Sequence, residues 1–389
     1  MLIERKFSRF LGVISGTSAD GVDVALVRVS GAGDRARVHL EAFQTAAYPE
    51  PLRESLFHLL DGRDDRLPRI ARLHTALGEF LGSSVMDLLS KAGVEPSLIR
   101  AVGSHGQTVY HAPPPGPGVT LQLGSGAHLA AASGIPCVSD FRSADLAHGG
   151  QGAPLVPHFD WVTMTDPRKA RMIVNIGGIS NLTYLPPAAP RANVRAYDIG
   201  PGNMVIDGLV RRLTGGRCSL DMDGRMAGRG RIQTWAMEKL MQHPFIAGTP
   251  PKSAGRRDFG PQLVEELYSR DGGLPWSGLA LALNQADLIA TISQWTVECI
   301  ARECKRFACL DEVILSGGGA KNPFMLQQTR QALAPVPVLA FEDIGQNGDA
   351  REATAFAFYA SEFLAGVPVN IPSVTGARTA CLLGCYYPV

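Results

Sequence analysis

Three stretches rich in glycine and small polar residues follow apolar segments, and each could bind phosphate. They span Gly16 to Gly21, Gly177 to Asn181 and Gly317 to Asn322. Backbone N–H groups in such loops bind phosphate oxygens, and the hydroxyls of Thr17 and Ser18 would add further donors. One such loop is weak evidence, because glycine in a turn often serves only to reach a positive φ. The ordered recurrence of three loops indicates a phosphate or nucleotide ligand.

Acidic side chains lie close to these loops. Asp20 lies within the first loop and Asp23 follows it, and either carboxylate could hold a divalent cation through water. Asp198 precedes the rigid turn Gly200-Pro201-Gly202, and a carboxylate at a strand end beside such a turn is placed to act as a general base. The alternative is that Asp198 simply ends a strand. Asn203 is predicted to be the N-cap of the following helix, a role that does not explain Asp198.

Other polar residues would suit a ligand with many hydroxyl groups. Three of them are expected at the end of the strand that begins at Ile99: His105, Gln107 and Thr108. A polar turn that satisfies its own backbone is the alternative. Arg142 and Asp145 could be a ligand clamp or a surface ion pair. Glu352 begins an apolar helix, where an acidic residue also suits the helix dipole.

The elements that must position these residues alternate between strands and helices. Apolar runs predict strands at 10–15, 22–29, 99–102, 119–123, 136–139, 171–176, 182–185 and 311–316. Apolar residues at three-to-four spacing predict helices from Leu67 to a stop at Gly93, at 204–213, 232–241, 279–307 and 351–364, and from Pro323. Such alternation is typical of an α/β protein. The opening strand, loop and strand recur after a glycine- and proline-rich stretch near 147–157, where we place a domain boundary.

Composition excludes several function classes. The 389 residues carry a net charge of +1 with 19% charged residues, so a dedicated nucleic-acid binder or a polybasic membrane-surface protein is not expected. No apolar stretch approaches the ~18 residues of a membrane span. Seven cysteines without a CxxC pair argue against a disulfide framework and a zinc site, and favour reduced thiols in a cytoplasmic protein. Neither a GxxxxGK[ST] motif nor a GxGxxG motif after a strand occurs.

Taken together, these motifs resemble those of the anhydro-N-acetylmuramic acid kinases, a family of the actin, Hsp70 and sugar-kinase superfamily. The segments that carry the resemblance follow the family's order along nearly the whole chain: Ser15 to Asp23, Gly103 to Thr108, Gly149 to Pro157, Asn175 to Asn181, Asp198 to Asn203, Pro251 to Ser253, Gly317 to Gly319 with Asn322, and Pro372 to Ala377. The resemblance implies a two-lobed, actin-like α/β fold with a nucleotide cleft between the lobes. We expect residues 1–145 and 371–389 to form the N-terminal lobe, with the first phosphate loop and the sugar contacts. Residues 146–370 would form the other lobe, with the second phosphate loop, the catalytic aspartate and the adenosine-side loop.

The resemblance further implies an enzyme that uses ATP and Mg²⁺ to open the 1,6-anhydro ring of anhydro-N-acetylmuramic acid with water. It would phosphorylate O6, and the product, N-acetylmuramic acid 6-phosphate, belongs to cell-wall recycling. The residue matching the family's catalytic base is Asp198. The implied nucleotide ligands are Gly16, Thr17, Ser18, Ala19, Asp20, Gly21, Val22, Asp23, Asn175, Gly177, Gly178, Asn181, Gly317, Gly318, Gly319 and Asn322. The implied sugar ligands are His105, Gln107, Thr108, Arg142, Asp145 and Glu352. Asp20 would hold Mg²⁺ through water, and a cytoplasmic homodimer formed through the second lobe is implied.

One departure from the family pattern affects the substrate. Ser143 and Ala144 stand between Arg142 and Asp145, where the family commonly has two further arginines. Cations at these positions would suit the lactyl carboxylate of muramic acid. A kinase for a neutral 1,6-anhydrosugar such as levoglucosan is therefore an alternative. A non-catalytic, actin-like nucleotide-binding module is a third hypothesis.

Overall fold

The computed structural model describes residues 7–16, 21–60, 62, 66–114, 116–250 and 252–389. The chain divides into two compact units. Unit 1 combines the chain up to Met164 with Asp349–Val389, and unit 2 consists of Thr165–Gly348. Within the described ranges, no helix combines the length and the apolarity that a membrane span requires.

The elements are numbered in chain order. The strands are β1 (Ser8–Ser15), β2 (Gly21–Ser30), β3 (Arg37–Ala47), β4 (Ile99–Ala112), β5 (Val119–Leu123), β6 (Cys137–Ser139), β7 (Arg171–Ile176), β8 (Ile179–Leu185), β9 (Arg195–Pro201), β10 (Glu312–Ser316), β11 (Val338–Ala340) and β12 (Cys385–Tyr387). The α-helices are α1 (Glu50–Leu60), α2 (Leu67–Ala92), α3 (Gly126–Ser133), α4 (Ser143–Ala147), α5 (Pro157–Met164), α6 (Asn203–Leu213), α7 (Thr234–Leu240), α8 (Pro244–Ala247), α9 (Arg256–Phe259), α10 (Pro261–Tyr268), α11 (Leu279–Ala282), α12 (Gln285–Cys304), α13 (Pro323–Leu333), α14 (Arg351–Leu364) and α15 (Pro372–Thr375).

The sheet of unit 1 follows the order β12-β6-β4-β1-β2-β3, and β5 pairs with β4. Strands β1, β2 and β3 form an antiparallel meander, whereas β4 is parallel to β1 and β6 is parallel to β4. Alternate residues of β1 enter two different cores, as the period of a strand requires. Leu11 and Val13 pack with α2, whereas Phe10 and Ile14 pack with α14. The sheet is therefore covered on both faces.

The sheet of unit 2 follows the order β11-β10-β7-β8-β9. Strands β7, β8 and β9 form an antiparallel meander, β10 is parallel to β7 and β11 is parallel to β10. This order repeats β6-β4-β1-β2-β3 of unit 1, strand for strand and direction for direction. The predicted recurrence of the opening architecture is confirmed as a repeated topology. The predicted α/β class and the division into two lobes are also confirmed.

The division of the chain falls at other positions than we expected from the sequence. Residues 146–164 and 349–370, which we assigned to the second lobe, lie in unit 1. The physical reason is burial: Phe159 of α5 and most of α14 belong to the core on one face of the first sheet. Arg351 of α14 also forms a buried ion pair with Asp160 of α5. The expected lobe boundaries at 145 and 371 miss this layer of helices.

Helix α14 lies unusually close to its sheet. Gly12 of β1 and Gly103 of β4 are neighbours in the parallel ladder and both face this helix. A Cβ on Gly12 would lie 1.8 Å from the carbonyl oxygen of Ala353, and one on Gly103 would lie 1.9 Å from that of Phe356. Both distances are far below any non-bonded contact, so the helix reaches this position only because these residues lack side chains.

Three local features differ from the sequence-based expectation. His105, Gln107 and Thr108 lie within the long strand β4 instead of following a strand that ends at residue 102. The expected helix 279–307 is two helices, because Asn284 interrupts it and caps α12 by accepting a hydrogen bond from Asp287 N–H at 2.9 Å. Asn203 is the first residue of α6 and its amide donates to the carbonyl of Ile176, so the predicted N-cap role is wrong.

Candidate active site

A row of polar side chains crosses the sheet of unit 2. Asn175 of β7 lies opposite Asn181 of β8, and Asn181 lies opposite Asp198 of β9. Ser316 of β10 is level with Asn175 on the other side. Residues level with each other on adjacent strands share a face of the sheet. The structure thus brings two predicted nucleotide ligands and the predicted catalytic aspartate onto one face, side by side.

The glycine-rich turns of unit 2 meet at the end of this row. The two-residue turn Gly177-Gly178 joins β7 to β8, and its carbonyl groups accept hydrogen bonds from the N–H groups of Gly202 at 3.1 Å and Asn203 at 2.7 Å. Gly317 has a φ of +79°, and a Cβ there would lie 2.5 Å from Oδ1 of Asn175. Glycine is required by both the backbone angle and the close approach. The second and third predicted loops and the turn after Asp198 therefore form one cluster.

Asp198 is half-buried and lies within β9 rather than at its end. Its Oδ2 accepts a hydrogen bond from the N–H of Ala254 at 2.7 Å. Its own N–H donates to the carbonyl of Lys252 at 3.2 Å, so residues 252–254 run alongside this edge strand. A backbone donor that holds one carboxylate oxygen fixes the orientation of the group. This is the geometry expected of a positioned proton acceptor.

The third loop is supported by a segment that the sequence analysis overlooked. Asn322 caps α13 with its side-chain oxygen, which accepts from Phe324 N–H at 3.0 Å. Gly224 packs against this amide so closely that a Cβ there would lie 2.3 Å from Oδ1 of Asn322. Asp221, which is buried, closes the Gly224 turn by accepting from the N–H groups of Met226 and Ala227. The glycine-rich run Asp221 to Gly230 was the available signal in the sequence.

The first loop is described only at its edges. Thr17, Ser18, Ala19 and Asp20 lie outside the described residues, whereas Gly16, Gly21, Val22 and Asp23 lie within them. Ser15 Oγ, at the start of the loop, lies 2.5 Å from Gln107 Oε1 and 3.1 Å from the carbonyl of Gly21. Gln107 is thereby joined to both edges of the first loop, which unites one predicted sugar ligand with the predicted phosphate loop in unit 1.

A buried histidine and an arginine form a pair in unit 1. Arg142 donates from Nε to Nε2 of His105 at 3.0 Å and from Nη1 to the carbonyl of Gly152 at 2.6 Å. The ring of His105 packs 4.8 Å from that of Phe356, between their centroids. Burial, and secondarily the charge of Arg142, hold the pKa of His105 well below its usual range. The imidazole is therefore neutral at physiological pH, and its Nε2 accepts a hydrogen bond from the guanidinium of Arg142.

Glu352 lies in the first turn of α14, the helix that also carries Phe356. Burial raises the pKa of Glu352, and the nearby charges of Arg351 and Arg142 oppose this effect. A carboxyl group in such surroundings exchanges a proton more readily near neutral pH than an exposed one. His105, Arg142 and Glu352 are three of the predicted sugar ligands, and all three belong to unit 1.

Asp145 occupies a different environment from the one expected. Its side chain is fully buried, which excludes a surface ion pair. Oδ1 accepts from Asn370 Nδ2 at 2.8 Å and from Thr375 Oγ1 at 2.7 Å, and Oδ2 accepts from Gly152 N–H at 2.8 Å. Both oxygens are thus engaged by protein donors instead of being presented to a sugar. Since the carbonyl of Gly152 accepts from Arg142, Asp145 holds the loop that orients the arginine.

Thr108 and His111 continue this polar strand. Thr108 Oγ1 accepts from Gln122 Nε2 at 3.2 Å. His111 was not among the predicted ligands, although its position six residues after His105 was a signal. Its Nδ1 lies 3.1 Å from Thr120 Oγ1. Burial, followed by the charge of Arg142, lowers the pKa of His111 to about 4. A second neutral imidazole therefore lies within the electrostatic reach of Arg142.

A metal site is not evident in the part of the chain that the structure describes. Those residues contain no group of three or more His, Cys, Asp or Glu side chains arranged to hold an ion. Asp20 is outside the described residues. Asp23, whose carboxylate the structure does describe, follows the first loop. Its Oδ1 accepts a hydrogen bond from Thr45 Oγ1 at 2.6 Å.

Comparison with known proteins gives a consistent result over nearly the whole chain. The family model described as anhydro-N-acetylmuramic acid kinase matches residues 8–389. A protein of that name from Caldanaerobacter subterraneus is 39% identical over 384 residues, which cover 96% of this chain and 95% of the relative. Another from Salinibacter ruber is 40% identical over 384 residues, covering 96% and 94%. The chain therefore belongs to the anhydro-N-acetylmuramic acid kinase family.

Proposed function

We propose that this protein is an anhydro-N-acetylmuramic acid kinase that uses ATP and water to convert the anhydrosugar into N-acetylmuramic acid 6-phosphate. The observation that carries the proposal is the row of Asn175, Asn181 and Asp198, which ends at the clustered glycine turns of unit 2. Glycine turns provide backbone donors for phosphate, and the aspartate provides a proton acceptor on the same face of the sheet.

In the proposed reaction Asp198 removes a proton from a water molecule, whose oxygen then attacks the anomeric carbon. The C1–O6 bond breaks, and O6 attacks the γ-phosphorus of ATP, which displaces ADP. The developing positive charge at C1 resembles that of glycoside hydrolysis. Phosphoryl transfer itself requires mainly positioning and neutralisation of charge. The hydrogen bond from Ala254 N–H leaves Asp198 oriented for the first of these steps.

Unit 1 supplies the proposed sugar contacts. The cation of Arg142, held by His105 and Gly152, is the group suited to the lactyl carboxylate of muramic acid. Glu352 and neutral His105 would hydrogen-bond to hydroxyl or amide groups of the sugar. Ser143, which replaces a family arginine, donates to Asp140 Oδ1 at 2.5 Å and so supports the start of α4. The relatives' name favours the muramic sugar over a neutral anhydrosugar such as levoglucosan.

The nucleotide contacts are proposals as well. Backbone groups at Gly16, Gly21, Gly177, Gly178, Gly317, Gly318 and Gly319 would bind ATP, together with Val22, Asn175, Asn181, Asn322 and the residues 17–20. Mg²⁺, when bound, neutralises phosphate charge. A carboxylate and a hydroxyl oxygen, as at Asp23 and Thr45, fit a hydrated magnesium ion, and Asp20 is a further candidate. The homodimer and the cytoplasmic location stay predictions.

Turnover in heavy-oxygen water tests the proposal. Wild-type protein with ATP, Mg²⁺ and anhydro-N-acetylmuramic acid should release ADP and give a 6-phosphate with one heavy oxygen at C1. Asp198→Asn should lose turnover while it retains ATP binding, and Asp271→Asn, at an exposed position of unit 2, should behave as wild type. Turnover of levoglucosan alone would favour the neutral substrate. Turnover of only ring-opened sugars would contradict the hydrolytic step.

A further inference from the structure

The segment that follows Pro251 is held on two sides, and only one of them involves Asp198. On one side, its backbone pairs with β9 through the bond from Asp198 N–H to the Lys252 carbonyl and the bond from Ala254 N–H to Asp198 Oδ2. On the other side, the Lys252 side chain is buried, with 8% of its surface exposed. This segment therefore contributes a hydrogen-bond donor to the proposed base, and its position depends on where the lysine is anchored.

The lysine is anchored in a polar cluster behind the sheet. Lys252 Nζ donates to the carbonyl of Phe245 at 3.3 Å and lies 3.8 Å from Glu303 Oε1. The same ammonium lies 4.8 Å from the centroid of the Phe245 ring. Glu303 is buried on α12 and also accepts from Arg306 at 3.0 Å. Burial lowers the pKa of Lys252, and the attraction of Glu303 opposes that shift.

The cluster returns to the strand that carries the proposed base. Tyr197 donates from its hydroxyl to Glu303 Oε2 at 2.9 Å. Tyr197 immediately precedes Asp198 in β9, and successive residues of a strand point to opposite faces. The contacts therefore form a closed circuit that runs from Asp198 to Ala254, Lys252, Glu303, Tyr197 and back to Asp198. A closed circuit of this kind fixes both the strand and the donor that faces its carboxylate.

We propose that Lys252 and Glu303 are positioning residues that hold the Ala254 N–H on the carboxylate of Asp198. The inference rests on the proposed function of Asp198 for its catalytic meaning, although the positional claim can be tested without substrate. Lys252 acts at a distance from the reaction, because its ammonium is directed to Glu303 and Phe245 and only its backbone contacts Asp198. A donor that favours the ionised carboxylate also keeps Asp198 able to accept a proton.

The first test is independent of activity. The ¹³C resonance of the Asp198 carboxyl group, assigned by its loss in Asp198→Asn, is titrated in the wild type, in Lys252→Met and in Glu303→Gln. Loosening the donor should move the titration of Asp198 to higher pH in both variants. Lys239→Met is the matched control, since Lys239 is an exposed lysine that also lies over an aromatic ring, at 5.4 Å from the Trp235 centroid. An unchanged titration in folded Lys252→Met and Glu303→Gln would overturn the proposal.

Kinetics provide the second test once turnover of the wild type is established. Lys252→Met should lower kcat about tenfold or more, leave the KM for ATP within about twofold and move the acid limb of the kcat profile to higher pH. Lys252→Arg, which keeps a cation opposite Glu303, should recover part of the loss. If the wild type turns over no anhydrosugar, the proposed function fails and the carboxyl titration alone decides the positional claim. A loss of stability with unchanged kcat and an unchanged pH profile would overturn the proposal.

Discussion

Replacing Gly12 by alanine should move α14 away from the first sheet and impair the proposed sugar site of unit 1. The new Cβ would lie 1.8 Å from the carbonyl oxygen of Ala353 and 2.5 Å from the backbone nitrogen of Ala357. To restore even a 3.0 Å separation from Ala353 the helix must shift by about 1.2 Å. The obstacle is helix backbone, which cannot rotate aside as a side chain can.

The expected loss of stability lies at the upper end of the range for overpacked cores, about 3 kcal/mol. For a unit of this size that loss corresponds to a fall in Tm of roughly 6–12 °C. The activity should fall further than the loss of stability explains, because Glu352, a proposed sugar ligand, directly precedes Ala353 and would move with it. A displacement of about 1 Å at a contact residue can cost about a hundredfold in rate. Gly103→Ala, which meets Phe356 at 1.9 Å, should behave alike.

Denaturant unfolding and kcat/KM of the same preparations measure both effects. Gly116→Ala is the matched control in unit 1, since a Cβ at Gly116 meets nothing within 4 Å. The double variant of Gly12 and Gly103 should lose less stability than the two single losses combined, because both push the same helix. If Gly12→Ala unfolds within 0.5 kcal/mol of the wild type and retains full kcat/KM, the steric reasoning is refuted.

Two further predictions concern Asp145 and His111 of unit 1. Asp145→Ala leaves the donors of Gly152, Asn370 and Thr375 without their acceptor, so the free energy of unfolding should fall by about 3 kcal/mol or more. A fall of under about 1 kcal/mol in denaturant unfolding would contradict the anchoring role of Asp145. The pKa of His111 is about 4 in the folded protein, below the ordinary value of 6.5. Between these two pH values the unfolded chain binds more protons than the folded protein, so the free energy of unfolding should fall as the pH drops from 6.5 to about 4. His111→Gln should reduce this pH dependence between pH 7 and 5, whereas the exposed substitution His39→Gln should not, and equal slopes for wild type and His111→Gln would show that His111 does not contribute.

The residues with strong local signals were predictable. Alternating and continuous apolar runs predicted β1, β7 and β10 closely, and Gly93, with a φ of +64°, ends α2 where the sequence indicated a stop. The glycine loops and Asp198 were recognisable because glycine and a partly buried carboxylate lower the stability of a fold unless a turn or a ligand requires them. Features of this kind depend on a few consecutive residues and can therefore be predicted from a short stretch of sequence.

The features that failed depend on tertiary packing. Helix α14 is buried on almost every side, so its pattern cannot tell which sheet it covers, and it was assigned to the wrong lobe. Gly106, with a φ of +69°, bends β4 without ending it, because β1 and β5 continue the ladder on both sides. Asp145 has the sequence context of a surface ion pair, and only the distant residues Asn370 and Thr375 make it a buried anchor.

The discontinuity of unit 1 has a consequence for biosynthesis. Unit 2 is a single continuous segment, Thr165–Gly348, whereas unit 1 is completed by α14, which the ribosome makes only after all of unit 2. Until then, the face of the first sheet that holds Gly12 and Gly103 lacks the helix that covers it in the folded protein. Domains generally fold as units while the chain emerges, and uncovered sheet faces favour aggregation. All residues of unit 2 are thus available for folding before unit 1 is complete.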